Sequence, residues 1–190
     1  MIQLHQWEKK LKLHLFFAIK NAENLSKNHP YHDFQFGIIY YNDPIDCNMD
    51  FNGFLELTKD IEEIKNFCNN WKTQAGGDGA EDWAGGYSIA LNKIKWRDGR
   101  KIVVHICDSP AHGAKFSKNS DDNHKGKEFE NELDDLIKRC AENKIEIVGI
   151  YKYESAKNCF LECKKIYENN NGVDFNIQCY NPKFLININI

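Results

Sequence analysis

KIVVHICDSPAHG, running from Lys101 to Gly113, is the stretch that decides the fold. Its first seven residues are rich in β-branched Ile and Val, with Lys101 at the start and one histidine, and Asp108-Ser109-Pro110 then stops the run. A short apolar run of that kind, closed by turn residues, reads as a buried strand. The pattern recurs on both sides. Residues 34–41 (FQFGIIYY) form such a run, stopped by Asn42-Asp43-Pro44; residues 50–57, 145–151 (IEIVGIY) and 173–180 also read as strands. Between them, apolar residues return at helical spacing over 61–71, 81–94, 126–143 and 155–168, and again over 4–25 at the front. Thr58 or Asp60 is placed to cap the helix that starts at Ile61. Strand and helix alternate, which predicts an α/β domain with a doubly wound, mostly parallel sheet and helices on both faces.

Composition narrows the function. The 190 residues are 42% hydrophobic and 13% aromatic, enough for one core without disulfides or metals. The formal charge is −3, and only Arg97, Arg100 and Arg139 among the 25 cations are arginine. That leaves no basic field for nucleic acid and little bidentate chemistry for gripping phosphates. Seven cysteines, an odd number, stand in a chain with no signal-peptide pattern, so reduced thiols and a cytoplasmic setting are expected. No stretch of 18 apolar residues occurs, so no membrane partner is expected.

In open α/β sheets, ligands bind beyond the carboxyl ends of the strands. Three places qualify: Asn42-Asp43, the loop 75–82 (AGGDGAED), and Asp108 with His112. All three are acidic, through Asp43, Asp78, Glu81, Asp82 and Asp108, and the glycine loop carries three acids and no base. Such a loop suits a cation better than an anion. Oxygen donors favour a hard ion such as Mg²⁺. Equally, Asp78 and Asp82 read as turn and helix N-terminal residues, where a carboxylate offsets the macrodipole. Gly85 and Gly86 inside the following helix cost about 1 kcal/mol each relative to alanine, so a close approach of neighbouring groups is expected there.

GGDGAEDWAGG (76–86), HICDSPAHG (105–113) and FGIIYYND (36–43) together resemble the von Willebrand factor A domains found beside atypical alpha-kinases in amoebae and in related protist and bacterial proteins. The likeness covers residues 34–180. It implies a three-layer sandwich with a metal-ion-dependent adhesion site built from three loops: a DxSxS motif after the first strand, an acidic or threonine-bearing loop, and an aspartate after the fourth strand. Asp78 and Glu81 match the second loop and Asp108 the third. The first has no counterpart, because no DxSxS occurs in the chain. The resemblance therefore implies a chain that begins one strand late, with Mg²⁺ bound weakly or not at all. The domain is expected over 1–181, followed by a strand-like tail, 182–190. Its FLININI end fills the vacant central slot, forms an edge strand, or starts further structure.

The resulting expectation is a non-catalytic protein-interaction module. Its partner is a protein, met through Asn42, Asp43, Gly77, Gly79, Asp82, Ser109 and His112, with an acidic partner side chain completing the coordination if metal is bound. A kinase association is implied only by the neighbours that such domains often have. The alternative is a small metal-dependent α/β hydrolase, in which Asp108 and Glu81 hold the metal and His112 acts as acid or base. Other signals are weaker. Residues 121–132 fit part of an EF-hand loop, but Lys125 breaks it. Cys107 with His112 suggests an activated thiol, although a buried inert cysteine fits a strand end better. Cys159 and Cys163 share a helical face with no second pair to complete four ligands, and His105 reads as a core histidine.

Overall fold

The computed structural model describes residues 23–24, 27–29, 31–41, 43, 53–70, 77–118 and 120–180. Nearly all of the helix expected over 4–25, together with Asn42, Cys47 and the tail 182–190, lies outside them. The elements in chain order are β1 (Phe36–Tyr40), β2 (Gly53–Thr58), α1 (Ile61–Asn70), α2 (Trp83–Asn92), β3 (Lys101–Cys107), α3 (Lys127–Glu142), β4 (Ile145–Tyr151), α4 (Glu154–Asn169) and β5 (Phe175–Cys179). They fall into two compact units. The larger holds the described residues of Ile39–Gly53 and Gly76–Tyr180, and the smaller those of Met1–Ile38 and Phe54–Ala75.

In the larger unit, β3, β4 and β5 form a parallel sheet in that order. The middle strand shows why its sequence is almost wholly apolar. β4 is paired on both sides, with Ile147 opposite Val103 and Phe175, and Gly149 opposite His105 and Ile177. On β5 the exposed Asn176 and Gln178 alternate with buried or half-buried Phe175 and Ile177, as an edge position requires. The crossover helices α3 and α4 pack on one another as well as on β4. Each presents a stripe at helical spacing: Leu133, Leu136, Ile137 and Cys140 on α3, and Ala156, Cys159, Phe160, Cys163 and Tyr167 on α4. With Trp83 and Tyr87 of α2 these make the main core.

At the centre of that core sits His105. Tyr41 Oη lies 2.6 Å from its Nε2 and Tyr87 Oη 3.2 Å from its Nδ1, while Trp83 and Phe160 meet the ring edge-on. Burial pushes its pKa down to about 3. A neutral imidazole offers one donor and one acceptor, so one tyrosine hydroxyl accepts from the ring and the other donates to it. Both nitrogens are satisfied, and His105 is the core histidine the sequence suggested.

The helical glycine expected to mark a close approach does so. A Cβ on Gly86 would stand 2.8 Å from the Tyr41 ring, the same ring whose hydroxyl holds His105. Gly85 gives its N–H to Asp82, the N-cap of α2.

β1 and β2 form a two-stranded sheet, of which Phe36–Ile38 and Phe54–Thr58 belong to the smaller unit. Ile64 and Cys68 of α1 are buried there with Phe36, Ile38, Leu55 and Ile61 around them. Asp60 caps α1 by accepting from the Glu62 and Glu63 N–H groups at 2.9 and 3.3 Å, as one of the two sequence candidates required. Among the described residues, no helix is long and apolar enough to cross a membrane, and the six described cysteines are free thiols.

Candidate functional site

Four chain segments of the larger unit meet at one end of the sheet. Asp43 follows β1; Asp78, Glu81 and Asp82 precede α2; Asp108 to Gly113 follow β3; and Asp122 lies in the loop before α3. Two hydrogen bonds join the second and third of these: the Glu81 backbone N–H donates to the Pro110 carbonyl at 2.9 Å, and the Trp83 indole Nε1–H donates to the Ser109 carbonyl at 3.1 Å. The fourth is tied in through Asp78, whose two carboxylate oxygens accept from Ala80 N–H at 2.9 Å and Asn123 N–H at 2.7 Å.

His112 is the hub. Its Nε2 lies 2.9 Å from Asp43 Oδ2 and its Nδ1 lies 3.0 Å from Asp122 Oδ1. All three side chains are buried. Asp122 is fixed in turn by Gly113 N–H at 3.0 Å, the Ser117 hydroxyl at 2.5 Å and His124 N–H at 2.7 Å. Gly113 has a φ of +99°, and a Cβ there would meet the Glu130 side chain at 2.7 Å. The glycine is thus needed both for the left-handed backbone and for the space.

The charges follow from this packing. Burial alone would lower the His112 pKa, but the bond to Asp122 and the charges of Asp43, Asp122 and Asp78 outweigh it, and the net shift is upward. Burial also works against the Asp122 carboxylate, and its bonds to Ser117, His112 and His124 more than reverse that, holding its pKa down. Glu81 goes the other way. Burial first, then the charges of Asp43 and Asp108, push it up to about 7, with His112 opposing. Asp108 is raised chiefly by burial, against the pull of Lys152. Burial raises the Cys107 thiol well above its ordinary range, which counts against the activated-thiol reading.

The residues picked from the sequence therefore take several positions. The charges of Asp78 and Asp108 both act on Glu81. Asp43 and His112 lie below the surface as internal ties. Asp82 caps α2, Ser109 contributes its carbonyl, Gly79 N–H donates to the Asp121 carbonyl at 2.9 Å, and Gly77 is exposed. Asp122 was not singled out from the sequence. It sits in the stretch that resembled an EF-hand loop, and only the fold carries it to His112. Beneath the loops is a cavity of about 10 Å³ lined by Glu81, Asp82, Trp83, Ala111, His112 and Phe129. That volume takes about one water.

The donor set fits Mg²⁺ poorly. That ion wants six oxygens in near-octahedral array. Among the described residues, a compact donor group is Asp43, Asp78 and His112, with one donor atom of each within 4.8 Å of the others. One of the three is an imidazole nitrogen. Glu81, with its pKa near 7, is in part a neutral carboxylic acid at neutral pH.

No family model matches the chain. Over 120 residues, 63% of its length, it is 30% identical to the alpha-protein kinase vwkA of Dictyostelium discoideum, and that match spans 19% of the kinase. The crystal structure of the SpRpn10 VWA domain superposes with a TM-score of 0.54 at 18% identity, covering 94% of this chain and 79% of that one. With strand and helix alternating through β3, α3, β4, α4 and β5 in a parallel sheet, the chain has the α/β fold of a von Willebrand factor A domain.

Proposed function

We propose that the chain is a non-catalytic protein-interaction domain of the von Willebrand factor A type, docking its partner on the loop end of the β3–β4–β5 sheet. The observation that carries this reading is the state of His112. Both ring nitrogens face buried carboxylates, so neither is aimed at the adjoining cavity of about 10 Å³. The hydrolase reading would need a free imidazole nitrogen aimed at a pocket shared with Glu81 and Asp108. A surface of loops tied together from beneath suits recognition of another protein. The exposed Gly77, Asp121 and Asn123 form part of its rim. Asp43 and His112 serve as positioning residues for that surface.

The adhesion-type Mg²⁺ site is degenerate in this reading, with Asp78, Glu81 and Asp108 as an incomplete set that binds Mg²⁺ weakly or not at all. Likeness to a segment of an alpha-protein kinase supports a docking role in kinase-associated assemblies, and the free cysteines are in keeping with the cytoplasm. A photo-crosslinking residue placed at position 77 or 123, or at position 143 at the opposite ends of the strands, tests the surface. The same partner captured from both 77 and 123, and not from 143, is the expected result. Capture only from 143 would refute it.

A further inference from the structure

We propose that Asp43, Asp78 and His112 form a binding site for a nitrogen-accepting divalent cation of the Zn²⁺ class, in which the metal takes the place of the proton between His112 Nε2 and Asp43 Oδ2. This concerns the chain by itself and does not depend on the docking surface. It also differs from the ligand set implied by the family resemblance, sharing only Asp78 with it.

Geometry comes first. Three loops far apart in sequence each supply one donor atom, and the three lie within 4.8 Å of one another. The Nε2 to Oδ2 separation is 2.9 Å. Two donors each about 2.1 Å from a tetrahedral Zn²⁺ are about 3.4 Å apart, so seating the ion asks Nε2 and Oδ2 to part by about half an ångström while the Asp78 oxygen, within 4.8 Å of both, closes in.

The surroundings match as well. Metal-bound histidines usually present their other ring nitrogen to a carboxylate that fixes the ring and raises its basicity. Asp122 holds Nδ1 in that way, and is itself held by Gly113, Ser117 and His124. The donor types, one imidazole and two carboxylates, suit Zn²⁺ and its neighbours rather than Mg²⁺ or Ca²⁺.

Charge supplies the driving force. Three carboxylates, Asp43, Asp78 and Asp122, stand around the one imidazole, and Asp43 and Asp122 are buried with it. Exchanging the proton for a divalent ion removes one more negative charge from the interior. Glu81, beside the cluster, and solvent are the candidates for the open coordination position. The step is a simple exchange. The metal–nitrogen bond forms as the Nε2 proton leaves to solvent, with no change in oxidation state. The groups facing His112 are Asp43, Asp78, Asp122 and Glu81, with His124 and Phe129 against the ring.

Calorimetric titration of Zn²⁺ into the chain, run in two buffers of different ionisation enthalpy, reads stoichiometry, affinity and proton release together. The expected result is one ion per chain at micromolar affinity or tighter, with net proton release. At least a tenfold loss is expected in both His112→Gln and Asp43→Asn, and Mg²⁺ should bind at least a hundredfold more weakly. Co²⁺ added to the wild type should give the visible absorption of a tetrahedral nitrogen and oxygen site. Should either buried variant fail to fold, Asp78→Asn at the half-buried position gives the same reading. Zn²⁺ affinity unchanged in these variants would place the ion on exposed groups such as His29, His32 or Cys179 and overturn the site. So would the absence of saturable binding, or binding without proton release.

Discussion

His112 and Asp43 are 69 residues apart in sequence and 2.9 Å apart in space, Nε2 to Oδ2. The contact joins the loop after β1 to the loop after β3, and Asp122 on the other ring nitrogen brings in the loop before α3. Removing one partner of a buried ion pair leaves the other charge uncompensated, at a cost of about 3–5 kcal/mol. Asp43→Asn and His112→Gln are each expected to destabilise by an amount of that order. The double variant should cost less than the sum, because the two groups act through one bond. A denaturant-unfolding double-mutant cycle measures this; strict additivity would mean that the contact contributes nothing.

His105 is expected to contribute to acid sensitivity. Its pKa in the fold, about 3, is depressed below the unfolded value of about 6.5. Such a group contributes stability that is present above the unfolded pKa and lost as pH falls toward the folded one. Wild-type stability should therefore decline from about pH 6.5 downward with the uptake of one proton by this ring. His105→Gln should flatten that limb, and at neutral pH should cost about 1–3 kcal/mol through the hydroxyls of Tyr41 and Tyr87 left without the ring. Thermal unfolding of both proteins between pH 4 and pH 7.5 checks it.

Glu81 acts on the other side of the pH range. Its pKa rises from 4.5 to about 7 on folding. The raised value favours the folded state below pH 4.5, and that advantage is lost as pH rises to 7. Glu81→Gln should therefore be near neutral at pH 4 and stabilising at pH 8 by about 1–3 kcal/mol. His112, also raised, has the same sign: its contribution is full below the ordinary histidine value of about 6.5 and is lost as pH rises from there through the raised value. Chemical denaturation at the two pH values separates the variant from the wild type, and equal effects at both would show that Glu81 is not held as described.

Gly86→Ala sets two effects against each other. Alanine gains about 1 kcal/mol of helix propensity, while its Cβ would stand 2.8 Å from the Tyr41 ring. That ring cannot swing away without breaking the 2.6 Å bond to His105, and overpacking of this kind costs about 1–3 kcal/mol. Net destabilisation is expected, with weakened protection of β3 amides in hydrogen exchange.

Much of the fold was legible because apolar periodicity is local. KIVVHIC and IEIVGIY became β3 and β4 with the boundaries read from the sequence, and the helices at 61, 126 and 155 began within a residue of the expected start. Asp82 as a helix-start residue and Gly86 as a close approach were likewise readable from one segment each. The site was legible only in part. Asp43, Asp78 and His112 stood out individually, since each follows or precedes a strand or helix end, but nothing local says that His112 turns inward to Asp43. Asp122 carried no signal at all, being one acid in a polar loop whose partner lies ten residues away and whose role depends on the left-handed turn at Gly113.

The docking role is tested most directly by the dissociation constant of the partner captured at positions 77 and 123, measured by calorimetry with and without added Mg²⁺. The measurement compares the wild type with Asn123→Arg on the loop rim and Asn143→Arg at the opposite ends of the strands. Tenfold or greater weakening by Asn123→Arg, about 1.4 kcal/mol, is expected, with no effect of Asn143→Arg and none of Mg²⁺. Binding that requires Mg²⁺, or that is lost in Asn143→Arg and kept in Asn123→Arg, would contradict it.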